Sequence, residues 1–339
     1  MLEKPNLQDK SIISSLLEDY GLSVVRLVFL PVGADRNTAA YRAVSEDGIQ
    51  YFVKLRRGDF GGTTVALTRF LSDQGVVHII APLATKAGGL CASLEAFQLM
   101  LYPFIEGHSG YEVDLSDRQW RDLGRALRRI HSTRAPEALG SRIQRETYSP
   151  RWREIVKTFL ERLDGAAPGD PVAAELAAFL NARCDGILDL VARAEGLALT
   201  LGPRPAEFVL CHSDIHAGNV LIDSSSALYI VDWDDAIFAP KERDLMFIGA
   251  GLWGNGRAPQ EEEVLFYQGY GQTQINPAGL AYYRYERIVQ DIAVFCERIC
   301  STGEGREDRE QSLRYLKSNF LPNSTIEIAY ASDKTLRHG

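Results

Sequence analysis

The chain opens with apolar residues at helical period over positions 7–19, with Asn6 placed to cap the start and Gly21 just past the end. The period then falls to two. "VVRLVFLPVG", "AAYRAVS" and "IQYFVKLRR" alternate as three antiparallel strands, turned near "GADRN" and "EDG". "TTVALTRFLSDQG" predicts a short helix that opens at Thr63 and stops at Gly75. Strands at "LCASL" and "FQLMLY" follow, the second ending at Pro103. An antiparallel sheet with a few helices is the expected outcome for this part.

Beyond "PFIEGHSG" the pattern turns helical. Ser116 is placed to cap "DRQWRDLGRALRRIHS", where Trp120, Leu123, Leu127 and Ile130 form one apolar stripe. "SPRWREIVKTFLERL" continues the period, and a further helix is predicted from Asp170 to about Glu195, with Gly196 beyond its end. "LDGAAPGDP" reads as an exposed loop. Residues 241–252, 260–268, 277–300 and 306–319 are predicted as helices. The chain is therefore expected to be α+β, with an antiparallel-sheet lobe over 1–103 and a mainly helical lobe over 104–339. One strand–loop–strand insertion interrupts the helices.

Composition narrows the picture. At 339 residues the chain is long enough for two lobes, and 45% hydrophobic with 24% charged residues suits a globular protein. The formal net charge of −8, with no basic stripe, argues against nucleic acid and is compatible with a small cationic partner. The five cysteines are scattered and odd in number, which predicts reduced thiols in the cytoplasm. No stretch is long and apolar enough to predict a membrane span. A monomer or weak dimer is expected.

The insertion carries the chemistry. In "EFVLCHSDIHAGNVLIDSSSALYIVDWDDA" two apolar runs frame the polar loop "HSDIHAG", placing Asp214 and Asn219 between buried strands. "SSS" turns the chain, and "ALYIVD" delivers Asp232 at the end of the next strand. Carboxylates brought this close repel unless a cation lies between them. Oxygen donors favour magnesium, with Asn219 as a neutral donor, and Asp214 is then available to take a proton from a substrate hydroxyl. Singly, such residues in loops make turns and caps. Their joint spacing, H-x-D-x-x-x-x-N followed by a strand ending in Asp, is hard to explain that way. His212 and His216 lack the helix and third ligand that a zinc site needs.

"HSDIHAGN" resembles the "HGDLHPGN" loop of the aminoglycoside phosphotransferase and choline kinase superfamily, whose fold is bilobal and protein-kinase-like. "VDWDDA" is similar to that family's metal-binding Asp motif. "YSPRWREIV", "VLCHSDIHAGNVL" and "APKERDLMFIG" look like the spectinomycin phosphotransferase branch. The resemblance implies Asp214 as catalytic base, Asn219 and Asp232 as magnesium ligands, and His212 as a brace for the loop. Asp244 would anchor that loop, although "APKERDL" departs from the family's usual "GDPxxDL". Lys54, on a strand face where a lysine is unexpected, matches the phosphate-binding lysine. Its usual acidic partner is missing from "GGTTVALTRFL", leaving Asp59 as one candidate. "GADRNT" sits where the family covers the phosphates, and a plain hairpin turn is an equal reading. The nucleotide base is expected against backbone around Leu101, Tyr102 and Phe104.

The implied cofactors are ATP or GTP and Mg2+. The implied reaction is phosphorylation of a hydroxyl on an aminocyclitol or aminoglycoside antibiotic, spectinomycin foremost, giving resistance. A small-metabolite kinase (choline, homoserine, methylthioribose or ketosamine type) and a non-catalytic nucleotide-binding module are the alternatives. Asp234 and Asp235 are candidates for contact with a cationic substrate or for capping the next element. Glu286 and Asp291 are further acidic candidates.

Overall fold

The structure, a computed structural model, describes residues 4–32, 37–58, 62–162, 170–202, 208–250, 257–301, 305–322 and 324–337. In chain order the main elements are α1 (Asp9–Tyr20), β1 (Val24–Leu30), β2 (Thr38–Ser45), β3 (Gln50–Arg57), α2 (Thr63–Asp73), β4 (Ala92–Leu94), β5 (Phe97–Pro103), β6 (Gly107–Ser109) and α3 (Asp117–Ser132). There follow α4 (Arg151–Glu161), α5 (Pro171–Asn181), α6 (Cys184–Leu201), β7 (Val209–Cys211), β8 (Val220–Asp223), β9 (Leu228–Ile230) and β10 (Ile237–Ala239). The chain ends in α7 (Pro259–Tyr270), α8 (Pro277–Cys300), α9 (Arg306–Ser318) and α10 (Thr325–Arg337).

Compactness divides the chain into two units. The first comprises Met1–Gln144 with Asp214–Ala236, and the second Arg145–Ser213 with Ile237–Gly339. This division differs from a split at 103/104 for a structural reason: β6 pairs with β8, and α3 hydrogen-bonds to the β8–β9 turn through Gln119 and Ser226. Both segments make these contacts inside the first unit.

In the first unit the sheet order is β1-β2-β3-β5-β4, antiparallel throughout. Strand alternation sorts its faces. Tyr41, Val53, Leu55, Leu99 and Leu101 point into a core with Ile12 and Leu16 of α1. Lys54 and Arg56 therefore fall on the opposite face of β3. α1 closes as predicted, with Gly21 at φ 72° donating to Leu17, but its start lies at Gln8 rather than Asn6 and has no side-chain cap. Ser116 and Gln119 form the capping box that opens α3.

A second, smaller sheet of order β9-β8-β6 carries the polar loop. "EGHSG", where the sequence pattern predicts no strand, becomes β6 because two glycines permit close approach. A Cβ on Gly107 would stand 2.3 Å from the Ile222 carbonyl oxygen, and one on Gly110 would stand 2.9 Å from that of Ala217.

The second unit is built around α8, whose buried Tyr285, Ile288, Val289, Ile292 and Cys296 pack with residues of α4, α5, α6, α9 and α10. The single helix expected over 170–195 is two. α5 opens at Asp170, which accepts from the Val172 and Ala173 N–H groups, and ends at Asn181. α6 then runs through Gly196 to Leu201, because Ile187, Leu190, Val191, Ala194 and Ala198 are buried along one face. That burial outweighs the roughly 1 kcal/mol a mid-helix glycine costs. The helix expected at 241–252 is one short turn, Glu242–Leu245, within the described residues. Residues 33–36 of the "GADRN" turn, Asp59 and most of "LDGAAPGDP" lie outside the described residues.

Candidate active site

The polar loop begins with an anchor inside the second unit. Antiparallel pairing of β7 and β10 brings residues 211 and 237 together. Asp244, fully buried, accepts from the N–H of His212 at 3.0 Å and of Ser213 at 2.6 Å. A buried carboxylate is tolerated only when its oxygens are hydrogen-bonded, and two backbone donors meet part of that need. Ser213 itself adopts φ 70°, a left-handed conformation uncommon outside glycine, so the chain turns sharply just after these two donors. His212 is completely buried beside it. The departure "APKERDL" has a structural use as well: Glu242, 2% exposed, accepts from the N–H of Asn276, whose own side chain caps α8.

The rest of the loop belongs to the first unit. Asn219 closes a short 3-10 turn and is buried; its Nδ2 donates to the Asp214 carbonyl at 2.8 Å and reaches the Asp214 Oδ2 at 3.4 Å. With Nδ2 so engaged, Oδ1 is the amide atom directed elsewhere. His216 Nδ1 accepts from the Gly218 N–H at 3.0 Å, so the ring proton of the neutral imidazole sits on Nε2. Nε2 lies 3.5 Å from Asp214 Oδ2. The ring stacks on Tyr111 with centroids 5.7 Å apart, and Gly218 leaves room for both rings.

Asp232 joins them through register. β8 and β9 pair Val220 with Ile230, and the ladder continues as the Val231 N–H donates to the Asn219 carbonyl at 3.0 Å. Asp232 then turns out of the strand at φ 61°, with its side chain half exposed. Asp is among the residues that tolerate this region, and non-glycine residues held there cluster at functional sites. Asn219 Oδ1 and the Asp232 carboxylate could serve as oxygen donors, the kind of ligand that suits a hard divalent cation such as magnesium.

Facing these acids, on the non-core side of the sheet, stands Lys54. Its Nζ is 2.8 Å from Asp234 Oδ2 and 3.4 Å from Asp232 Oδ1. Burial alone lowers the affinity of Lys54 for its proton, but Asp234 and Asp232 more than offset this, so its pKa is raised. The acidic partners of Lys54 thus come from the "VDWDDA" stretch, and Asp73, the one acid in α2, pairs with Arg69 instead. Arg56, which sequence reasoning passed over, also contacts Asp234 Oδ2, at 3.0 Å. The missed signal was the i, i+2 spacing of two cations on one strand face. Asp235 is exposed.

At the end of β5, Tyr102 lies on the Lys54 face beside Phe52, with ring centroids 6.4 Å apart, and burial pushes its phenol up to about 12. The Leu101 carbonyl accepts from the Leu83 N–H at 2.7 Å, and the Phe104 N–H donates to Gln50 at 3.2 Å. The remaining acidic candidates in the second unit are engaged. Asp291 pairs with Arg287 at 3.0 Å, and Glu286 is buried 3.6 Å from Arg153.

Comparison with known proteins identifies the family of the chain. Residues 28–284 match the model of the phosphotransferase enzyme family. Spectinomycin phosphotransferase APH(9)-Ia, solved in complex with ADP and spectinomycin, is 39% identical with a TM-score of 0.90, covering 97% of this chain and 99% of that one. Its AMP-bound complex gives 38% identity and a TM-score of 0.85, over 96% and 99% of the two chains. Protein StrN of Streptomyces griseus is 26% identical over 285 residues, 79% of this chain and 85% of StrN. An amicoumacin kinase, 16% identical with a TM-score of 0.63 over 94% and 95% of the chains, shares the fold. With most of its length matched and a relative of 39% identity spanning nearly all of it, this chain belongs to the phosphotransferase enzyme family and has that family's kinase-like α+β fold.

Proposed function

We propose that the protein transfers the γ-phosphoryl group of a nucleoside triphosphate, ATP or GTP, to a hydroxyl of spectinomycin, and so confers resistance. One observation carries the reading. The H-x-D-x-x-x-x-N loop folds with the Asp214 carboxylate held by Asn219 and neighboured by His216, in a chain 39% identical to a spectinomycin phosphotransferase.

In this reading Asp214 orients the acceptor hydroxyl and takes its proton as the oxygen attacks the γ-phosphorus. The bond from that phosphorus to the β–γ bridging oxygen breaks, and the nucleoside diphosphate leaves with the electron pair. Lys54 binds phosphate oxygens from the sheet face, where its raised pKa keeps it charged across the physiological range. Backbone around Leu101, Tyr102 and Phe104 would receive the base, with Tyr102 and Phe52 offering ring faces. Asn219 and Asp232 would hold the magnesium ion, which when bound neutralises phosphate charge and aligns the phosphoryl group. His212 and Asp244 keep the loop in shape. Residues 1–103 would serve the nucleotide, and 104–339 the acceptor and catalysis.

Incubation with ATP, magnesium and spectinomycin should give a phosphorylated drug. A panel of choline, homoserine, methylthioribose and a ketosamine should give little ADP release; turnover of one of these without turnover of spectinomycin overturns the substrate assignment. Asp214→Asn should cut kcat by about 10²–10⁴ while nucleotide affinity is retained. Wild-type turnover in that variant would remove Asp214 from the role of base.

A further inference from the structure

The face of β3 that carries Lys54 carries a second cation two residues on. Alternation puts Arg56 on the same side, and both side chains converge on one atom, Asp234 Oδ2, at 2.8 Å from Lys54 Nζ and 3.0 Å from the Arg56 guanidinium. All three side chains are largely removed from solvent, at 16%, 25% and 20% exposure. An anionic oxygen that gathers an ammonium and a guanidinium in this way occupies the position that a phosphate oxygen takes in phosphate sites. Arginine's planar fork suits phosphate, where lysine acts as a point charge. Asp232, 3.4 Å from the same lysine, adds a second negative charge, so the cluster of Lys54, Arg56, Asp232 and Asp234 is formally neutral before any ligand arrives.

From this geometry we infer that Arg56 is a second phosphate-binding residue beside Lys54, and that Asp234 is a resident carboxylate which holds the two cations until nucleotide phosphates replace it. The inference rests on the nucleotide reading given above and deepens it. It also reassigns Asp234, a candidate for contact with a cationic substrate or for capping the next element, to the nucleotide side of the site. The ligand class recognised is a nucleoside di- or triphosphate. Adenosine, which lacks phosphate, should not sense Arg56 at all.

Titration calorimetry of the full chain with ADP and with adenosine, each in EDTA so that only protein cations act on the phosphates, tests this. Arg56→Gln should weaken ADP by about tenfold or more and leave adenosine unchanged, and Arg56→Lys should recover part of the loss. Unchanged adenosine affinity reports an intact fold in both variants. Asp234→Asn should tighten ADP several-fold, since the competing carboxylate loses its charge. Equal losses for ADP and adenosine in Arg56→Gln, or no loss for either, would make Arg56 a structural partner of Asp234 and overturn the phosphate role. Unchanged or weakened ADP binding in Asp234→Asn would overturn the displacement. Wild-type protein that binds no ADP would overturn the nucleotide reading as well, whereas wild-type binding with an indifferent Arg56→Gln overturns this inference alone.

Discussion

Gly107 and Gly196 show how differently two glycines can be used. At Gly107 an added Cβ meets backbone, 2.3 Å from the Ile222 oxygen and 2.9 Å from its carbonyl carbon, so nothing flexible can yield. Gly107→Ala should lower stability by about 1–3 kcal/mol, read by denaturant melting, through the push on the strand that carries Asn219 at its head. Gly196 lies in the middle of α6, and an added Cβ there meets nothing within 4 Å. Gly196→Ala should therefore raise stability by up to about 1 kcal/mol. A fall in stability for Gly196→Ala, or none for Gly107→Ala, would contradict these packing assignments. The placement of the candidate residues was legible from spacing: Asp214, Asn219 and Asp232 are ordered by one loop and one strand pair. The ion pairs of Lys54 were not, since its partners lie 178 and 180 positions away.

At the scale of elements, α8 carries a buried acid with a measurable consequence. Glu286 is 6% exposed, and burial pushes its carboxyl up to about 7 even though Arg153 acts in the opposite direction. Glu146, Arg243 and Glu195 are the other charges acting on it. A folded-state pKa above the unfolded value means the protonated form is favoured in the folded chain. The resulting contribution to stability is full below about pH 4.5 and is lost as pH rises through about 7. Relative to Glu286→Gln, the wild type should therefore lose up to about 3 kcal/mol between pH 4.5 and 8. Parallel melting curves for the two proteins across that range would show that Glu286 stays ionised. Elements with strong period were found where sequence placed them, among them α3, α7, α8 and α9. The misses have causes. β6 is three residues long and exists only by pairing with β8. The break between α5 and α6 falls at Asn181-Ala182-Arg183, where no proline or glycine marks it, and α10 was not foreseen.

For the molecule as a whole, ligand binding is linked to stability by mass action. A nucleotide that binds only the folded chain adds about 2.7 kcal/mol at a concentration a hundred times its dissociation constant. Mg-ADP at that excess should raise the midpoint of thermal unfolding by several degrees, and Asp214→Asn should show the same rise because its loss is in turnover rather than binding. An unmoved midpoint at saturating nucleotide would count against the nucleotide site. Among the described residues no helix is long and apolar enough to cross a membrane.

Local order carried much of this in advance. Period, caps and the H-x-D-x-x-x-x-N spacing are relations among residues within one helix or one loop, so the α+β class and the acidic loop could be read directly from the chain. Which acids neutralise Lys54 and Arg56, and that 107–109 is a strand, are relations between distant segments. Those depend on β-register and on backbone approach of a few ångströms, where a single position's slip would turn Lys54 and Arg56 into the core, and only the folded chain settles them.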